Sequence, residues 1–95
     1  MIGDESFELY VLMECAEDAF GLGRMEDFKW QAARPGSSPT NAVILALIDR
    51  GHLEVVERIE SGTGRRNANA VITPEGRRRM GQLIAAGVEP DEGCD

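Results

Sequence analysis

The chain has 95 residues and a mass of 10.4 kDa, which predicts one domain with one modest core. Hydrophobic residues at 42% and charged residues at 28% exclude disorder of the whole chain. No apolar run approaches the ~18–20 residues of a membrane span. Ten Lys and Arg against 17 Asp and Glu give a net charge of −7, which argues against indiscriminate adhesion to nucleic acid or anionic membrane.

That charge is unevenly placed. Residues 1–60 carry a net −7, residues 61–88 a net +4 and residues 89–95 a net −4. The middle stretch holds Arg65, Arg66, Arg77, Arg78 and Arg79 against Glu75 alone, so it is the one plausible anion binder. The two cysteines, Cys15 and Cys94, make no disulfide framework and suggest a reducing compartment. The opening Met-Ile-Gly-Asp-Glu lacks the basic, then apolar, pattern of a secretory signal, so a cytoplasmic location is expected.

In chain order, residues 5–20 read as a helix, with Leu9, Leu12, Met13, Ala16 and Phe20 on one stripe. Phe7 and Val11, four apart, fall on the far side. They read either as an exposed apolar pair or as a second packing face for a partner subunit or the last helix. Gly21 and Gly23 are expected to end the helix. Residues 24–33 read as a second helix with Met25, Phe28 and Ala32 on one face, and Trp30 as a core or edge filler. Arg34-Pro35-Gly36-Ser37 is a break.

Ser38-Pro39 opens a third helix, because serine caps free N–H groups and proline suits the first helical position. Val43, Ile44 and Leu47 form its buried stripe, and Gly51 ends it. Residues 53–59 read as a strand with Leu53, Val55 and Ile59 inward. Ser61-Gly62-Thr63-Gly64 is turn chemistry, and residues 68–73 return as a second strand. Thr73-Pro74 repeats the cap and opens a helix over 74–86, with Met80, Leu83 and Ile84 inward. The expected domain spans residues 1–87, and residues 88–95 form an acidic flexible tail. Strands this few and short must pack on the helices. The expected fold class is therefore α+β: a winged helix-turn-helix with a three-helix core, a two-stranded wing and a C-terminal helix.

Three segments resemble the winged-helix domains of MarR-like and PadR-like transcriptional regulators. Residues 42–54, Ala-Val-Ile-Leu-Ala-Leu-Ile-Asp-Arg-Gly-His-Leu-Glu, resemble a recognition helix running through glycine into the wing. Gly64-Arg65-Arg66-Asn67 resembles the basic wing tip, and Ile72-Thr73-Pro74-Glu75-Gly76-Arg77 the start of the following helix. The resemblance covers residues 38–81. It implies sequence-specific binding of double-stranded DNA as a homodimer, with half-sites about 34–36 Å apart.

A helix of ~10–12 Å diameter fits the major groove. On that reading Thr40, Asn41, Ala42 and Leu45 meet the bases, and Arg65, Arg66, Arg77 and Arg78 meet phosphates. Asn41 suits adenine, and Ala42 or Leu45 suits a thymine methyl. Asp49, on the same outward side, repels phosphate. Arg77 lies nearest the buried stripe of its helix and is equally suited to pairing with acids of the first helix. The expected dimer interface is Phe7, Val11, Met80, Leu83 and Ile84.

An alternative follows from the acidic body and the cation-free outward face of the third helix. It is a winged-helix interaction module, or a small DNA-mimicking inhibitor, that binds a protein through Ala42, Leu45 and Ala46. No catalytic role is expected. His52 has no nucleophile motif near it, and Cys15, His52 and Cys94 lack metal-ligand spacing. Gly62-Thr63-Gly64 lacks the strand-to-helix context of a phosphate loop. No cofactor and no small-molecule effector are expected in a chain of this size.

Overall fold

A computed structural model of the chain describes residues 5–90. Among them, four helices and three strands follow the order α1 (Glu5–Glu17), β1 (Phe20–Gly23), α2 (Met25–Ala33), α3 (Pro39–Asp49), β2 (Leu53–Ile59), β3 (Arg66–Ile72) and α4 (Pro74–Ala85). The strands form one antiparallel sheet in the order β1-β3-β2. The fold is a small α+β domain. Most of the expected tail, including Cys94, lies outside the described residues.

Helix α1 is the centre of the core. Its first turn carries Glu5 and Glu8, which suit the positive end of a helix dipole. Leu9 and Leu12 are fully buried, as their stripe predicts, but Phe7 and Val11 on the other side are buried too. A helix apolar on both flanks is one that neighbours surround. Phe7, Val11 and Leu83, expected at a dimer interface, are buried in the chain's own core, Phe7 and Val11 on the second packing face of α1. Met80 is half-buried against that core, and Ile84 points outward with 55% exposure rather than inward.

The helix expected over 5–20 stops at Glu17, and Phe20 enters a strand. Gly21 and Gly23 are strand residues, not helix stops. Phe20 pairs with Ala70, Gly21 with Asn69 and Gly23 with Ala68, with a bulge between the two glycines. Gly23 has a φ of 67°, a left-handed value that suits glycine. Leu22 points into the core. Trp30 fills no core position either. It is 64% exposed, with the Arg34 guanidinium carbon 4.8 Å from its ring centroid.

Both proline caps form. Ser38 Oγ accepts from the Thr40 backbone N–H at 3.3 Å at the start of α3. Thr73 Oγ1 accepts from the Gly76 N–H at 3.0 Å and donates to the Gly51 carbonyl at 2.6 Å. Thr73 N–H donates to the His52 carbonyl at 3.1 Å. A Cβ on Gly76 would collide with that same His52 carbonyl, so the first turn of α4 sits directly on the α3–β2 connection. The His52 N–H donates to the Leu47 carbonyl, while its Nδ1 is buried without a hydrogen-bond partner among the described residues.

The ion pair joining α1 to α4 uses Arg79 rather than Arg77. Arg79 Nε donates to Glu8 at 2.9 Å and its Nη2 donates to the other Glu8 oxygen at 3.2 Å, with Glu5 3.4 Å from the same nitrogen. Glu8 is 2% exposed. Its hydrogen bonds hold the Arg79 guanidinium above its ordinary pKa, against the opposing effect of burial. Arg77 is exposed.

A buried carboxylate stripped of its partner is far costlier than a guanidinium that water can reach. Arg79→Met should therefore lower unfolding free energy by about 3 kcal/mol. Glu8→Gln should cost about 1–2 kcal/mol. Urea denaturation of both variants checks this, and equal small losses would contradict it.

Candidate nucleic-acid interface

The β2–β3 hairpin is anchored at one end and free at the other. Leu53 is buried and Val55 half-buried, whereas residues 57–66 are exposed. Ile59, expected to point inward, is 71% exposed because the ribbon has run past the helices by that point. The register pairs Ile59 with Arg66, Arg58 with Asn67 and Glu57 with Ala68. At the tip, Glu60 N–H donates to the Arg65 carbonyl and Gly64 N–H to the Glu60 carbonyl. Gly62 and Gly64 take φ values of 97° and 68°, which close the turn. Thr63 Oγ1 accepts from the Arg65 N–H at 3.3 Å. Asn67 donates to Glu60 at 3.2 Å, which leaves that carboxylate engaged at the tip.

The arginines of the basic stretch are sorted by these contacts. Arg79 is held by Glu8 and Glu5, and Arg78 by Glu75 at 2.9 Å. Arg65 and Arg66 are exposed and have no ion-pair partner among the described residues. They line a groove of about 870 Å³ between the hairpin and the start of α2, together with Gly23, Arg24, Met25, Glu26 and Glu57. Arg24 brings a third guanidinium to this groove. It also occupies the N-cap position of α2, where its side chain caps no backbone N–H. Arg24 was not legible in the sequence because it lies 41 positions before Arg65 and only the sheet order joins them.

The other expected DNA contacts lie elsewhere. Asn41 and Thr40 line a depression of about 220 Å³ with Tyr10, Val11, Glu14, Phe20 and Ser38. Tyr10 Oη donates to Glu14 at 3.2 Å on that wall. Asn41 also borders a shallow site at the α2–α3 turn that contains Arg34. Ala42 and Asp49 are exposed, and Leu45 and Ala46 half-buried, so the outward side of α3 is apolar to acidic as expected. Arg50, at the C-cap of α3, is exposed. Arg77 and Arg78, on α4, line none of these three depressions.

No group of three or more His, Cys, Asp or Glu among the described residues is placed to hold a metal. No described helix is long and apolar enough to cross a membrane. Comparison with protein-family models, curated proteins and solved structures finds no match to this chain.

Cys15 is buried in the core, and burial, reinforced by Glu14, pushes its thiol up to about 11 from 9.0. A folded-state pKa above the unfolded value gives stability that is complete below pH 9 and lost between pH 9 and 11. Alkaline titration of unfolding free energy should show a fall of up to about 1.4 kcal/mol per pH unit in that window. The Cys15→Ala variant should be flatter there. An unchanged slope would show that the thiol does not carry it.

Proposed function

We propose that this chain is a winged helix-turn-helix, sequence-specific DNA-binding transcriptional regulator that works as a homodimer. The connectivity supports this reading: helix, strand, helix, tight turn, helix, then a two-stranded hairpin whose second strand is flanked by the first strand of the chain. In that plan α3 is the recognition helix and the β2–β3 hairpin is the wing.

The observation that carries the proposal is the pair of guanidiniums, Arg65 and Arg66, without an ion-pair partner among the described residues and at the end of a ribbon that projects beyond the core. Free cations on a projecting edge can approach phosphates, or a narrow minor groove, without first breaking an internal ion pair. Arg24 joins them across the groove. The α3 surface offers no cation, so phosphate contacts fall to the wing and the groove. Asn41, Ala42 and Leu45 supply base-edge contacts of the adenine and thymine-methyl kinds. The net charge of −7 opposes long-range attraction and leaves binding dependent on local contacts.

Fluorescence anisotropy with duplex DNA across a salt series tests this. Replacing both Arg65 and Arg66 by alanine should weaken binding to every duplex and reduce the salt slope by about 2. A folded wild-type protein that ignores duplex DNA at low salt would overturn the reading and favour a protein partner on the Ala42–Leu45 face.

A further inference from the structure

We propose that the outer edge of β2 is a self-complementary docking strand for a second copy of this chain. The two β2 strands would pair antiparallel about a two-fold axis through Val56.

The sheet order leaves β2 at an edge. The ladder fixes which of its backbone groups are free. Thr73 N–H bonds the His52 carbonyl, and Glu60 N–H bonds the Arg65 carbonyl. On the β2 side these are His52 and Glu60, both even-numbered, and hydrogen-bonded pairs alternate along an antiparallel ladder. Glu54, Val56 and Arg58 therefore spend their N–H and C=O groups on β3. Leu53, Val55, Glu57 and Ile59 direct theirs away from it, to the open edge.

Two-fold pairing about Val56 uses that parity without remainder. Leu53 falls opposite Ile59 of the second copy, and Val55 opposite Glu57, each in a hydrogen-bonded pair. Glu54 falls opposite Arg58, and Val56 opposite Val56, in the pairs whose side chains lie closest. Neither Glu54 nor Arg58 has an ion-pair partner within the chain among the described residues. The pairing gives each one, twice over by symmetry. It also sets Ile59, 71% exposed in the single chain, beside an apolar neighbour.

Neighbouring registers do worse. An axis at Glu54, Glu57 or Arg58 places two like charges face to face, and an axis at Val55 leaves Glu54 and Arg58 without each other. The two three-stranded sheets would become one continuous sheet across the dimer. This surface stands independently of DNA binding. It takes the place of the Phe7, Val11 and Leu83 surface, which the core has consumed.

Sedimentation equilibrium on the full chain tests the proposal. The wild type should dimerise reversibly. Glu54→Arg alone, and Arg58→Glu alone, should each weaken the dimer about tenfold by creating two like-charge pairs. The two substitutions together should restore it. Glu57→Pro removes an N–H that β3 does not use, so it should leave the circular dichroism unchanged and yield a monomer. A wild type that stays monomeric up to about 1 mM would overturn the proposal. So would a dimer indifferent to the charge reversals, or one that the double reversal fails to rescue.

Discussion

The Glu8–Arg79 pair is the contact on which the arrangement of this domain depends. It joins the first helix to the last, across 71 residues of sequence, through two hydrogen bonds to a carboxylate that water scarcely reaches. A charge so buried is tolerable only with its partner in place. The pair therefore fixes the rotation of α4 about its own axis. Leu83 then faces the core, while Arg77 and Arg78 face solvent. The Thr73 cap and the missing Cβ of Gly76 set the other coordinate, the height of α4 on the α3–β2 connection. Together they hold the base of the hairpin between two helices.

What is rigid at the base becomes free at the tip. The same two strands that bury Leu53, Ala68 and Ala70 expose Ile59 and Arg66 at their far end, with Arg65 in the turn between them. This gradient separates structural from presented arginines within one stretch of sequence. Arg79 is committed to Glu8, and Arg78 is tied locally to Glu75. Arg65 and Arg66 at the hairpin tip are left to whatever the molecule meets. The free edge of β2 has a separate cause, the sheet order β1-β3-β2, which leaves one side of its backbone without a neighbouring strand.

The features visible in the sequence are those with a local cause. Ser38-Pro39 and Thr73-Pro74 start helices because a hydroxyl and a fixed φ act on adjacent residues. The Ser61–Gly64 turn and the β2 boundaries were equally legible. What stayed hidden is what distant chain decides. Strand β1 is four residues with two glycines, a poor strand by propensity, and it exists because β3 offers it an edge. Phe7 and Val11 look like a surface pair on a single helix, but neighbours enclose that helix on both sides. Choosing Arg79 over Arg77 as the partner of Glu8 required the actual rotation of α4. The nearness of Arg24 to the hairpin tip required the sheet order.

The separation of the arginines into held and presented groups is most directly tested by following their side-chain Nε–H resonances by NMR as a short duplex is added at low salt. The resonances of Arg65 and Arg66 should shift first and together, that of Arg24 with them, while that of Arg79 stays fixed. Movement at Arg79, or unmoved Arg65 and Arg66 in a protein that nonetheless binds the duplex, would contradict it.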